Sequence, residues 1–509
     1  MAQQKPTGYL SKNVDSDLDA IMYYSCGCRT SPIAAFCIQS KFMPHHYSLW
    51  QKRLRERLFE QAYPLWVDSE GVLPAASLWY QMRERLQLLR DAEIGAGDRI
   101  VLQLPVHRDY LAWLFAALWQ GCTVALAHPT SDAQALVRFF SAKAVINENG
   151  LRNYDLEESI ATPDICLLLA SSGTSGTPRW IALSDRNIFS VIDSHLPILN
   201  LVDVHESSYS AARVLSLLPL HHAFGLVIDF FAAFFAGAEI VRDNSGGRDI
   251  QQILRLADKH SVTHCSFVPL LVKRLAALAE GRAFLRSLQG GVIGGAPVNA
   301  ELATFLRTTR LRVGYGQTEA SPGITLGEPS VWQEHYLGQT IGCETRISAE
   351  GVLEFRGGNA HIGLWTEQGL VRYTAGRWVN TGDYVKASTD ATAKGYIFVG
   401  RTDDTFKLAN GRFIPAPEWE MILRSRLEGC TEVMIFSHDG ESCTVYLAFS
   451  SEIPMQTIEQ LRKSVLECLP IPNDLLDEVC IIPLDKWLYT PKGSTNRSAM
   501  REMAMRHQQ

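Results

Sequence analysis

No apolar run in this sequence approaches the ~20 residues that a membrane-spanning helix needs, so no membrane insertion is expected. The most apolar stretch, 228–238, is too short to span and reads as a buried helix. The first residues, MAQQKPTGYLSKNVDSDLDA, lack the apolar core of a signal peptide. A basic excess is also missing: the net charge is −6, which gives no global case for a nucleic-acid partner. The 11 cysteines follow no disulfide-framework spacing, and Cys26-Gly27-Cys28 has no second ligand pair near it that would make a metal site. Reduced thiols and a cytoplasmic location are therefore expected. The lysine-bearing phosphate loop that ends in Gly-Lys-Ser or Gly-Lys-Thr is absent as well.

What remains is a chain of 509 residues, 46% hydrophobic and 20% charged, with ample material for a core. At about 150 residues per unit its length suggests three domains or lobes. Residues 1–45 form a polar, irregular start. Segments 47–63 and 77–92 read as helices, the second with Leu78, Met82, Leu86 and Leu89 at helical spacing. Strand 99–104, helix 110–120, strand 123–127, helix 132–140 and strand 144–147 follow. This alternation predicts a parallel sheet covered by helices.

The next stretch organises the chain. An apolar strand, 165–170, runs into Ser171-Ser172-Gly173-Thr174-Ser175-Gly176-Thr177-Pro178, and Trp180-Ile181-Ala182-Leu183 resumes the apolar pattern. Glycines and small residues let a backbone approach a ligand, and successive N–H groups with added hydroxyls make an anion-binding concavity. A flexible Ser/Gly linker is the other reading of this loop taken alone. The two strand-like flanks oppose it. Ser184 then stands at an N-cap position.

Further along, strand 214–218 ends in Pro219-Leu220-His221-His222-Ala223-Phe224-Gly225. Helix 226–236, strand 239–242, helix 250–260, strand 264–268, strand 292–294 and strand 311–315 come next, the last closed by Gly316-Gln317-Thr318-Glu319. Beyond 335, short alternating segments rich in glycine predict antiparallel β structure. Residues 405–509, with helices at 417–426 and 458–468 and strands at 432–437 and 444–450, read as a small α+β domain.

In this order, SSGTSGTP, Pro219–Gly225, Gly294–Pro297, Tyr315–Glu319, Thr381-Gly382-Asp383 and Gly400–Asp404 resemble the motifs of the acyl/aryl-CoA synthetase, nonribosomal-peptide adenylation domain and luciferase superfamily. The resemblance runs from about Ser77 to about Arg501. It implies an α/β fold: a large N-terminal AMP-binding domain, 1–400, of αβ lobes plus a β lobe. A small mobile α+β C-terminal domain, 401–509, would hinge near Asp403. The implied chemistry joins a carboxylate to the α-phosphate of ATP, releases pyrophosphate, and passes the acyl group to a thiol.

By the same resemblance, Thr174, Ser175, Gly176 and Thr177 would hold the β- and γ-phosphates, and Glu319 would hold Mg²⁺, a cation that prefers oxygen ligands. Thr318 would touch the α-phosphate. Tyr315, followed by Gly316, would stack on adenine, with Gly295, Ala296 and Pro297 lining the base. Asp383 would take the ribose hydroxyls, supported by Arg401. His222 would stand near the acyl carboxylate. The acyl pocket would draw on Phe224, Ile228, Phe267, Ile293, Gly295 and Pro322.

Three departures matter. Arg179-Trp180 replaces the usual Lys-Gly after the loop proline. The usual C-terminal Gly-Lys aligns with Gly493-Ser494, and Lys492 stands one place earlier. Either Lys492 serves as the catalytic lysine, which is the expectation, or adenylation is weakened, since one lost preorganised donor costs about 2.7–4 kcal/mol in the transition state. Finally, the aspartate that pairs with the ammonium of α-amino acids is replaced by Ala223, and Asp229 is the nearest acid. A small carboxylic acid is expected, with a small amino acid such as glycine, its amine met by Asp229, kept open. No carrier-like segment follows, which implies a phosphopantetheinylated carrier protein in trans, or CoA. The non-enzymatic alternative is a degenerate nucleotide-binding protein.

Overall fold

The computed structural model describes residues 48–59, 64–154, 161–171, 178–201, 212–450, 458–490 and 494–507. Two sheets enclose a helical layer. The first has strand order Gly369–Arg372, Gly363–Thr366, Arg179–Leu183, Leu167–Ser171, Thr123–Leu126, Arg99–Leu102, Ala144–Asn147, Gly150–Asn153. Its centre is parallel, as the alternation predicts, but both edges are antiparallel. The hairpin 363–372 extends it: Trp365 pairs with Trp180 and Leu364 with Ile181. The second sheet runs His264–Cys265, Arg213–Ser216, Glu239–Arg242, Pro64–Asp68, Gly71–Pro74. It is parallel except for its last hairpin.

Between them lies the helix Arg108–Gln120, in which every residue from Tyr110 to Trp119 is buried. A helix apolar all round has no solvent face to keep, which fits a layer covered on both sides. Phe115 meets Phe230, Phe231 and Phe234, and Trp66 of the second sheet meets Phe230 edge-on at 5.9 Å. The segment expected as an α-helix over 226–236 begins instead as a π-helix, Phe224–Phe231, and continues as α-helix Ala232–Ala236. Because this run is apolar on all sides save Asp229, hydrophobic period carries no information about its pitch.

Local signals act where expected. Asp132 Oδ1 caps the helix Ala133–Phe140 by accepting from the main-chain N–H of Gln134 and Ala135. Ser184 and Asn187 form a reciprocal capping box on Asp185–His195. Trp180, where the resembled family has glycine, is 8% exposed. It packs edge-on against Phe140 at 4.7 Å, so it fills a core gap rather than facing the loop it follows.

A third sheet begins with the parallel pair Val292–Ile293 and Arg312–Tyr315, then continues antiparallel through Thr325–Leu326, Tyr336–Thr340, Tyr396–Arg401, Val379–Ala387, Val352–Arg356 and Glu344–Ile347. Single parallel bridges, His264 to Gly290 and Phe267 to Ile293, tie it to the second sheet. Beyond Phe406, a three-stranded sheet of Cys430–Phe436, Cys443–Phe449 and Leu476–Ile481 packs with helices Ala416–Arg426 and Ile458–Cys468 around its own core of Trp419, Leu423, Val445, Leu461 and Val465. The third strand and the helix Arg497–His507 add to the elements expected here. Among the described residues no helix is long and apolar enough to cross a membrane.

Candidate active site

The site is built where strands end. Val292 pairs with Arg312 and Ile293 with Val313 in parallel register. Gly295 and Tyr315, each two residues past Ile293 and Val313, therefore emerge at the same C-terminal edge. Crevices beyond the carboxyl ends of parallel strands are where such sheets bind ligands. After Tyr315 the chain turns sharply. A Cβ on Gly316 would sit 1.5 Å from the Pro322 carbonyl oxygen, so only glycine lets this turn close against buried Pro322. Thr318 and Glu319 follow in a short 3₁₀ turn, Thr318–Ala320.

The Tyr315 hydroxyl donates to Asp383 Oδ2 at 2.6 Å. Asp383 lies on Val379–Ala387, directly across the ladder from Arg401. Its main-chain N–H donates to Thr381 Oγ1 at 3.1 Å, and Thr381 in turn donates to the Leu353 carbonyl at 2.7 Å, which fixes the backbone. Arg401 Nη1 stands 3.0 Å from Asp383 Oδ1. That pair is close but poorly directed, and Oδ1 has no hydrogen-bond partner. Burial raises the Asp383 pKa above the usual carboxylate range, with Arg401 and Tyr315 pulling it back. Burial and the same carboxylate push the Tyr315 phenol well up.

Glu319 is the second centre. Arg179, the first residue past the Ser/Gly loop, places Nη2 3.2 Å from Glu319 Oε1. The base of that loop is closed by pairing of Ser171 with Arg179. The Glu319 main-chain oxygen accepts from His361 N at 3.0 Å and from His361 Nδ1 at 2.9 Å. His361 Nε2 faces Arg377 Nη2 at 3.1 Å. A carbonyl only accepts and a guanidinium only donates, so this imidazole is neutral with its proton on Nδ1. Burial, then Arg377, holds its pKa down at about 4. Among the described residues no group of three or more His, Cys, Asp or Glu could hold a metal ion. A lone carboxylate suits Mg²⁺, which keeps waters and shares its shell with substrate phosphates.

His222 is exposed and Phe224 half-buried, Phe224 lying against Gly294. Two further imidazoles join His222 that sequence reasoning did not single out. The His221 ring lies 4.4 Å from that of His222 and 5.2 Å from that of His128. Burial, helped by both neighbours, depresses the His221 pKa to about 3, so it is neutral. The His-His doublet after Pro-Leu was the available signal.

The expected acyl pocket divides by strand parity. Phe267 and Ile293 are fully buried in the core shared with Leu271, Phe284 and Leu302. Ile228 and Asp229 instead line a small cavity with His264, Ser266 and Val292, the neighbours of opposite parity. Thr174, Ser175, Gly176, Thr177 and Lys492 lie outside the described residues. The described residues on either side of Lys492 pair: Thr490 N donates to Ser494 O at 2.8 Å, and Tyr489 bridges Thr495. Glu432 Oε1 accepts from the Tyr489 hydroxyl at 2.9 Å. Asp403 lies in a 3₁₀ turn, Thr402–Asp404, with its carboxylate 3.8 Å from Arg401 Nη2.

A sequence model described as AMP-binding enzyme matches residues 140–350. This region is similar to the AMP-binding enzyme family. The AMP-binding region thus spans the base of the Ser/Gly loop, His222, Tyr315 and Glu319. Feruloyl-CoA synthase of Amycolatopsis sp is 26% identical over 356 residues, 61% of this chain and 70% of that protein. Tyrocidine synthase 2 of Brevibacillus parabrevis is 22% identical over 482 residues, 89% of this chain but 13% of that protein. Among solved structures, ATP-bound MatB from Rhodopseudomonas palustris superposes with a TM-score of 0.70 at 18% identity, covering 89% of this chain and 98% of that one. At that identity the likeness establishes the fold.

Proposed function

We propose that this chain is an AMP-binding enzyme that activates a small carboxylic acid. The carboxylate oxygen bonds to the α-phosphorus of ATP, the α–β phosphoanhydride breaks, and an acyl-adenylate and pyrophosphate result. A phosphopantetheine thiol then takes the acyl group and AMP leaves. The observation that carries the reading is Asp383: a buried carboxylate held by Tyr315 and Arg401, with one oxygen lacking a hydrogen bond, at the edge where Gly295 and Tyr315 emerge. A ribose hydroxyl supplies the donor that oxygen lacks.

In this reading Tyr315 and the 295–297 turn bracket adenine, and Asp383 with Arg401 fixes the ribose. The Ser/Gly loop cradles the outer phosphates, Thr318 meets the α-phosphate, and His222 with the neutral His221 borders the acyl carboxylate. Lys492 serves as the catalytic lysine, and Asp403 is the hinge. Phosphoryl transfer asks mainly for such positioning and charge neutralisation. Mg²⁺ at Glu319 would supply charge to the phosphates. For it to bind there, Arg179 must release the carboxylate, and its guanidinium, 58% exposed, is free to turn toward the phosphates.

The acceptor thiol belongs to a separate carrier protein or to CoA. Similarity to tyrocidine synthase 2 favours the first and similarity to feruloyl-CoA synthase the second. The eight cysteines among the described residues are free and mostly buried, which suits the reducing cytoplasm. A second reading, a nucleotide-binding protein without adenylation, draws on the Arg179–Glu319 pair, which occupies the metal carboxylate. Exchange of labelled pyrophosphate into ATP across a panel of small acids separates the two. No exchange with any acid, together with ATP binding, overturns the enzymatic reading. Thioester formation with CoA alone removes the carrier.

A further inference from the structure

The turn that carries Thr318 and Glu319 is tied to one short segment, 358–362. Asn359 Nδ2 donates to the Gly323 carbonyl at 2.7 Å, and Ser321 Oγ donates to the Asn359 carbonyl at 2.8 Å. The main-chain N–H and Nδ1 of His361 both donate to the Glu319 carbonyl, at 3.0 and 2.9 Å. The segment is itself fixed to the first sheet. Asn187 Nδ2, from the helix Asp185–His195, donates to the carbonyls of Gly358 and Ala360 at 2.7 and 2.9 Å, and Ile362 N donates to the Ala182 carbonyl at 3.1 Å. Residues 358–362 are therefore a strut between the strand that leaves the Ser/Gly loop and the turn beside it.

His361 is 6% exposed, and burying an imidazole is costly unless its nitrogens are used. Its main-chain N–H already satisfies the Glu319 carbonyl, so the ring adds direction rather than satisfaction. Two donors occupy both lone pairs of that oxygen and fix the orientation of the peptide plane as well as its place. The same plane is held at its other end, where Ala320 N donates to the Gln317 carbonyl at 2.8 Å.

The far side of the ring is set by Arg377. Nε2 faces its Nη2 at 3.1 Å, so Nε2 accepts and Nδ1 carries the proton. In the other tautomer Nδ1 would be a bare acceptor against the Glu319 carbonyl oxygen, and the turn would be pushed away. Arg377 is held in turn. Its Cζ lies 4.1 Å from the centre of the Tyr373 ring, and Tyr373 meets the His361 ring edge-on at 5.3 Å. Tyr373 N donates to the Ile362 carbonyl at 2.9 Å. The next residue, Trp378, is gripped by Arg346 and Arg356, whose Cζ atoms lie 4.2 and 4.6 Å from its ring. The connector from the hairpin 363–372 to the strand Val379–Ala387 is thus anchored at Tyr373 and at Trp378, and it delivers Arg377 to the imidazole.

We propose that His361, locked in its Nδ1–H form by Arg377, is a positioning residue that holds the peptide after Glu319 so that Thr318 faces the α-phosphate and the Glu319 carboxylate faces the cations attending the phosphates. The roles of Thr318 and Glu319 rest on the adenylation reading; the hydrogen-bond chain from Arg377 through His361 to Glu319 stands without it. Groups that orient a ligating residue in this way commonly carry about 10–100-fold in affinity or activity.

The test separates positioning from packing. His361→Phe keeps a ring and removes the donor, whereas His361→Asn keeps a donor at the Nδ1 position. Arg377→Met removes the guanidinium, and Arg377→Lys keeps a donor. In pyrophosphate exchange, His361→Phe should lose about 10–100-fold in kcat and Arg377→Met about 3–10-fold, with KM for the acid within about twofold of wild type. His361→Asn and Arg377→Lys should return to within about threefold. Hydrogen exchange of the amides in 316–323, followed by mass spectrometry without ligand, should quicken about tenfold in His361→Phe and Arg377→Met and stay slow in the two conservative variants. Arg377 is half-buried, so its pair carries the comparison even if a change at His361 prevents folding. Equal losses in the paired variants, or a His361→Phe enzyme that matches wild type, overturn the proposal and leave adenylation intact. An Arg377→Met enzyme indistinguishable from wild type removes the lock. If the wild type exchanges no pyrophosphate with any acid, the adenylation reading fails instead and amide exchange decides. Protection lost in His361→Phe and kept in His361→Asn then upholds the hold on the turn, and equal protection rejects it.

Discussion

Replacing Arg401 by methionine keeps the aliphatic stem and removes the cation facing Asp383. Asp383 is 4% exposed, and afterwards the Tyr315 hydroxyl at 2.6 Å is the one donor left to its side chain among the described residues. Breaking one side of a buried pair costs about 3–5 kcal/mol. Arg401 is 33% exposed, so water screens part of its field, and a loss of about 2–3 kcal/mol near neutral pH is expected. Its dependence on pH has a definite sign. Burial already raises the Asp383 pKa in the folded state, and Arg401 opposes that rise. Without Arg401 the folded pKa climbs further while the unfolded chain keeps its ordinary value. The deficit against wild type is then fully present above the raised pKa and shrinks as pH falls toward the ordinary aspartate range. Asp404, also raised by burial and lowered by Arg401, adds a contribution of the same sign. Urea midpoints of both proteins at about pH 8 and about pH 5 measure this. A deficit below about 1 kcal/mol, or one that grows on acidification, would refute the account of Asp383 as a buried, cation-dependent carboxylate.

Gly316→Ala puts a Cβ 1.5 Å from the Pro322 oxygen, so the turn carrying Thr318 and Glu319 must shift; thermal stability should fall by the equivalent of about 1–3 kcal/mol and exchange activity with it. Arg179→Ala frees Glu319, and the Mg²⁺ concentration that half-saturates exchange should drop by about 2–10-fold; an unchanged Mg²⁺ dependence means the pair does not compete with the metal. Arg497→Ala strips the cation 2.8 Å from Glu420 and 3.1 Å from Asp404, and should unfold the C-terminal region about 3–5 kcal/mol more easily, visible as an earlier transition in limited proteolysis.

How much of this was legible depended on whether one side of an element faces water. The helix Ala75–Asp91 could be read because Leu78, Met82, Leu86 and Leu89 are buried on one face with charges on the other. The strand Ala144–Asn147 was bounded by turns and read to the residue. The 224–236 segment shows the opposite case: packed on all sides, it offers no polar face, so its π geometry left no trace in the pattern. Nor could local pattern show that the hairpin 363–372 leaves the third sheet to extend the first. That choice is made by Trp365, which meets Phe140 and whose Nε1 donates to the Phe139 carbonyl at 3.0 Å, more than two hundred residues away in sequence. Trp180 belongs to the same account: a departure from the family pattern at a loop exit is explained by a core partner.

In the candidate site, Tyr315 and Arg401 each end a strand and Asp383 stands at the middle of another, and ladder register with the Tyr315 hydrogen bond brings the three together. The acyl side was less legible for a reason that period two makes plain. Phe267 and Ile293 are apolar and adjacent to the motifs, but they share a parallel bridge and point together into the core, while His264, Ser266 and Val292 turn the other way. A register one residue different would have exchanged the two sets. Polarity should have been the guide: a histidine and a serine at one short strand and an aspartate from the facing helix line one buried space and are expensive to assemble.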